Sequence, residues 1–300
     1  MKACSTASRR TSLRSGLRFV LFLPFIFSAC SLKTLALRGT ASLLDKGADA
    51  LYEESDPKFA QETMGSQLKL IEALLRNDPD NRKLLVLAAE GFGAYAFLFL
   101  QDEQPEYRAK NFYLRGRDYA LRALARKPAF QKLADLDAES LERALKSAEK
   151  RDAPALFWTA FNWSSWINLS RNSTDAVAQL PKTVLIMKKV SQLQPGYHFA
   201  GAELFFGSYY ASRPAILGGD IKKAKAHFAQ AHGLTGGLFL MAYVLEARYY
   251  AVAAQDQTLY KELLEKVRLG QAGALPKARL SDEVAKIKAA QLLSKTDEYF

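Results

Sequence analysis

The chain has 300 residues, 49% of them apolar, and a formal charge of +11 from 42 basic and 31 acidic side chains. Its two cysteines, Cys4 and Cys30, are too few for a disulfide framework or a cysteine-held structural zinc, and a chain of this size buries enough surface to fold without either. Five of the 42 basic residues and none of the 31 acidic ones precede Cys30; that leaves 37 against 31, or +6, for the rest, interspersed in sign over 141–150 as on solvated helix faces, which argues against a nucleic-acid groove.

The first element is a leader. Lys2, Arg9, Arg10, Arg14 and Arg18 precede an apolar run from Phe19, and Ser28, Ala29 and Cys30 close it. A basic segment, about eleven apolar residues and then small residues before cysteine is the layout of a bacterial lipoprotein signal peptide. The run is shorter than the roughly 20 residues that a bilayer span needs. Phe27 stands where leucine is usual. Residues 1–29 are therefore expected to be removed, Cys30 to carry lipid, and 30–40 to act as a tether. An uncleaved signal anchor, or a secretory peptide with an incidental cysteine, is the other reading.

Helical spacing begins at Ala41 with Leu43, Leu44, Ala48 and Leu51. Asp56 and Pro57 then read as an N-cap followed by proline at the first helical position of a helix to Arg76. Asn77 to Asn81 is a turn by composition. Residues 82–100 are nearly all apolar, but Asn81, Arg82 and Lys83 lead in and Glu90 interrupts, so a buried core helix is expected rather than a membrane span. Further helices are expected over 105–126, 137–150, 154–170, 174–193, 196–213, 221–232, 237–254, 258–269 and 281–293. No segment alternates with period two, so residues 41–300 are expected to form one all-α domain of stacked antiparallel hairpins, about eleven helices in number.

The segment from Gly219 to Ala231 resembles the second helix of a tetratricopeptide repeat, with Ala224, Phe228 and Ala231 at the small, large and small positions. Phe206, Gly207 and Tyr210 match the first helix. The loop between them, Arg213 to Gly219, is about five residues longer than the repeat consensus. The array is expected to be a divergent one.

Together with the cysteine at the end of the leader, several segments resemble the T component of tripartite ATP-independent periplasmic (TRAP) transporters. They are Leu74 to Asn81 with Leu84 and Leu85, Tyr95 and Ala96, Phe157 and Trp158, Pro195 with His198, and Pro214 to Asp220 running into Lys223, Ala224, His227 and Phe228. The likeness spans most of 45–250. It implies a periplasm-facing, lipid-anchored protein with tetratricopeptide-like helices, a homotrimer that associates with the transporter's periplasmic solute-binding protein, and a pore or cavity in each protomer.

No catalytic pattern is present: there is no Gly-x-Ser-x-Gly, phosphate loop or HExxH. His227 and His232 are five apart, wrong for two ligands on one helical turn, so neither a metal nor a cofactor is expected. Gly218 and Gly219 suit a tight turn, with Asp220 capping the next helix. On the aromatic helix over 154–170, Trp158, Asn162 and Trp166 fall within an arc of about 80°. A buried amide among tryptophans either bonds a neighbouring helix or lines an aromatic cavity. Trp158, Asn162, Trp166 and His198 are thus candidate ligand or pore residues, and Pro214, Gly218, Gly219 and Asp220 candidate loop or interface residues. The expected function is a non-enzymatic transport accessory; a scaffold lipoprotein of envelope assembly is the alternative, and an envelope hydrolase finds no support.

Overall fold

The computed structural model of the chain describes Met1 and residues 47–300, Gln104 excepted. The leader, Cys30 and the tether over 30–40 lie outside the described residues. Within them the fold is all-α, with no strand.

A helical stretch at 47–52 leads into α1, Pro57–Asn77, which Asp56 caps by accepting from Lys58 N and Phe59 N. Helix α2 is Arg82–Tyr95, capped by Asn81, and continues as a π-helical turn over Ala96–Leu100. It is long and apolar enough to cross a membrane, yet most of it is buried inside the fold, as Glu90 and the polar lead-in require. Helix α3 is Tyr107–Leu124 and α4 is Ala138–Leu145. Arg122 and Arg126, near the end of α3, donate to the carbonyls of Pro79 and Asp80 in the α1–α2 turn. Helices α2 and α3 are therefore antiparallel.

Helix α5, Ala153–Leu169, is apolar all round and packs on α2 and α3. Helix α6 is Leu180–Leu193 and α7 is Tyr197–Ala211. Helix α8, Ile221–Thr235, is capped by Asp220 through Lys223 N at 3.0 Å. Tyr210 O accepts from Asp220 N, and Gly207 lies against Phe228, so α7 and α8 form an antiparallel hairpin about the intervening loop. A Cβ on Gly207 would stand 2.8 Å from the Phe228 ring; the missing side chain permits the close approach. Ala224 and Ala231 are buried beside Phe228. Helix α9, Leu240–Leu245, continues as a second π-helical segment over Glu246–Ala251. Helices α10, Gln257–Leu269, and α11, Arg279–Ser294, end the array.

Two buried clusters result. One is built by α1 to α6 with Phe206, and the other mostly by α7 to α11. Asp102, just past the first π turn, joins them by ion pairs to Arg248 and Lys288. The seam between the clusters holds the cavity.

Candidate functional site

The cavity has a volume of about 510 Å³, within the range of small-molecule pockets. Its walls come from the end of α2, from α5, α7 and α9, and from the loop after α7. Both π-helical segments contribute, Phe97 and Leu98 from the first and Tyr249 from the second. A π turn widens the helix by one residue and is frequent at functional sites. Gln101 N bonds Ala96 O at 2.8 Å, the i→i+5 spacing that defines the first of them.

The entry to α7 shapes one wall. His198, Phe199 and Ala200 all have positive φ, at 46°, 57° and 59°. A left-handed conformation costs roughly 1–2 kcal/mol for each such residue. The regular helix then begins at Gly201, later than the sequence spacing suggests, because a left-handed turn cannot propagate an α-helix. The turn brings His198 and Phe199 to the cavity wall. The His198 ring lies 4.7 Å from Trp158, and Phe199 stacks on Phe239 at 4.6 Å. Burial pushes the His198 imidazole down to about 4, so the ring is neutral near pH 7. Gly201 has its own part: a Cβ there would meet the Phe157 ring at 2.6 Å.

The three aromatic-helix candidates separate. Trp158 lines the cavity. Asn162 is fully buried outside it, donating to Ala89 O at 3.0 Å and Trp158 O at 2.8 Å. Gly93 and Gly116 let α2 and α3 close onto the amide; a Cβ on either would stand 2.3 Å or 2.7 Å from it. Trp166 is half-buried on the other flank, its ring 6.0 Å from the Arg117 guanidinium. The expectation that all three share one cavity face is thus corrected. With Trp158 at 0°, the lining residues Phe161, Ser165 and Asn168 fall at about 300°, 340° and 280°, while Asn162 and Trp166 fall at about 40° and 80°. The arc was right and the cavity lies on its far side.

At the loop, Pro214 and Leu217 line the cavity. Gly218 has φ +86° and open space around it. Gly219 has no room for a side chain: a Cβ would stand 1.9 Å from the Arg213 carbonyl oxygen. Asp220 is the cap expected of it. Ile216 is 92% exposed and Leu217 64%.

His227 Nδ1 is 2.7 Å from Glu203 Oε2, and Ser191 donates to the other oxygen of that carboxylate at 2.6 Å. Burial pushes Glu203 up, but hydrogen bonds from His227 and Ser191 outweigh it and hold the carboxyl below its usual value. His232 Nε2 lies 2.7 Å from Glu246 Oε2 and stacks on Tyr243. These pairs bind helices together, and among the described residues no cluster of histidine, cysteine and acidic side chains could hold a metal.

The family profile described as TRAP transporter T-component matches residues 53–300. The chain belongs to the TRAP transporter T-component family. A T-component family is one of transporter accessories, not of enzymes, and implies an envelope location and association with a TRAP system. A protein of Treponema pallidum (strain Nichols) described as "Uncharacterized protein" is 26% identical over 230 residues, and the match covers 67% of this chain and 71% of that protein. The sequence reading missed Phe97 and Phe199 as wall residues of this T-component. A left-handed turn without glycine leaves no sequence mark, and a π turn reads as ordinary helix.

Proposed function

We propose that this T-component is a non-enzymatic, lipid-anchored accessory that binds the periplasmic solute-binding protein of its transporter and holds or passes that protein's ligand. It would act as a homotrimer, tethered through an acylated Cys30, with tetratricopeptide-like hairpins as its scaffold. The observation that carries the reading is a cavity of about 510 Å³ in the seam of a chain whose family profile covers 53–300. A purely scaffolding protein has no use for a cavity walled by Trp158, Phe161 and Phe199. The loop from Pro214 to Asp220 would meet a docked receptor; Pro214 and Leu217, which line the cavity, and the exposed Ile216 support that reading.

The test is co-purification of the full chain with the solute-binding protein encoded beside it. Retention in a membrane fraction, lost in Cys30→Ala, is the expected companion result. Failure to retain that receptor at micromolar concentrations, with the protein folded and membrane-bound, overturns the receptor-binding role.

A further inference from the structure

The cavity is unequally charged. Among the described residues, Arg171, Arg213 and Lys277 line it and no aspartate or glutamate does. Lys277 pairs with Asp49 at 2.8 Å. Arg171 bonds only the neutral amide oxygen of Asn168, and Arg213 lies 4.2 Å over the Tyr209 ring; among the described residues neither has a carboxylate partner. Gly201 meets Phe157, and His198 meets Trp158, so the first parts of α5 and α7 touch. Arg171 and Arg213 each lie two residues past the end of one of these helices, at Leu169 and Ala211, and both line the cavity that the aromatic residues wall.

The lining joins Phe157, Trp158, Phe161 and Phe199 to a neutral His198. Ser164, Ser165, Asn168, Ser208 and Ser212 add hydroxyl and amide groups among further apolar side chains. Arg171 and Arg213, without a carboxylate partner among the described residues, repel a cationic ligand and favour an anion, whose charge-assisted bonds to guanidinium are strong. A small dianion would leave the aromatic rings unused.

We infer that the cavity takes a single-chain anionic amphiphile, its head held by Arg171 and Arg213 and its chain on Phe157, Trp158, Phe161 and Phe199. The inference rests on the proposal that the cavity holds ligand, and it names the class of that ligand.

The test is equilibrium binding of radiolabelled dodecanoate, dodecanol and succinate to the full chain in lipid nanodiscs, with empty discs subtracted. Dodecanoate should bind saturably and tighter than dodecanol by about tenfold or more, the value of one charge-assisted bond. The double variant Arg171→Gln/Arg213→Gln should lose that advantage while binding dodecanol as before. Both arginines reach solvent, and an unchanged melting temperature confirms that the variant folds. Dodecanol equal to dodecanoate, succinate bound as well as dodecanoate, or an unchanged double variant overturns the inference. So does the absence of saturable binding by all three. Receptor co-purification is scored separately, so loss of the ligand class leaves the accessory role standing or falling on its own result.

Discussion

At the scale of single residues, the side chain that best separates packing from function is Asn162. Its amide hydrogens reach carbonyls of α2 and of α5 itself, and two glycines are shaped around it. Removing the amide leaves a void at a three-helix crossing and frees the Ala89 carbonyl. A lost buried hydrogen bond of this kind costs about 1–3 kcal/mol. Asn162→Ala should therefore lower the unfolding free energy in urea titrations by that amount and leave dodecanoate binding unchanged in the folded fraction. A change in ligand affinity without destabilisation would return Asn162 to the cavity. The sequence showed that this amide is buried among apolar residues. Which neighbour it faces depended on how α5 rolls against α2 and α3, and no spacing along α5 encodes that.

At the scale of elements, the loop between α7 and α8 is held by its backbone. Gly219 N bonds Pro214 O at 3.1 Å and Asp220 N bonds Tyr210 O at 3.0 Å. A side chain at Gly219 would collide with the Arg213 carbonyl, a backbone atom that cannot swing away as a side chain can. A side chain at Gly218 meets nothing and suffers only from its φ, a cost of roughly 1–2 kcal/mol. Gly219→Val should thus speed amide exchange throughout 213–220, whereas Gly218→Val should do so weakly. Equal exchange in the two variants would mean that the loop is not set by that contact. The loop's unusual length and its paired glycines were visible in sequence. The seam into which Pro214 and Leu217 fall was not, because its other walls come from α2, α5 and α9.

At the scale of the whole molecule, acid stability follows from a balance of carboxyls. Burial pushes Glu72 up, but hydrogen bonds from Arg115, Tyr119 and Lys69 outweigh it and hold it at about 2. Burial likewise raises Asp102 and Glu203, and Lys288 with Arg248, or His227 with Ser191, lowers them past their usual values. A carboxyl depressed in the fold stabilises it above the unfolded value, near 4, and that contribution is lost as pH falls through the folded one. Asp282 is the opposite case. Burial pushes it up to about 6 while it accepts from Leu240 N and Gly273 N. The native state then holds a proton that the unfolded chain gives up between about 4 and 6, so this group adds stability as pH falls through that window. His198 opposes it: burial holds the imidazole at about 4, so it stays neutral in the fold where the unfolded chain takes up a proton below about 6.5, and stability is lost over the same window. The urea midpoint should accordingly change little from pH 7 to 5, where the two groups offset each other, and fall steeply below 4. Asp282→Asn removes the gain alone, so its midpoint should fall between pH 7 and 5. A variant profile parallel to that of the parent chain over that window would contradict the assignment to Asp282.

Sequence alone determined that the protein is all-helical, that 82–100 is core rather than membrane span, that Asp56 and Asp220 cap helices, and that the chain resembles T-components. Those properties are local: period, cap and turn chemistry are written within a few residues of where they act. The tertiary structure decided the cavity. Its wall needs a left-handed turn at His198 to Ala200 and two π turns, conformations that the surrounding packing selects against local preference. Its charge arises because the segments that follow α5 and α7 bring Arg171 and Arg213 to one cavity, a juxtaposition of residues far apart in the chain that only helix packing creates.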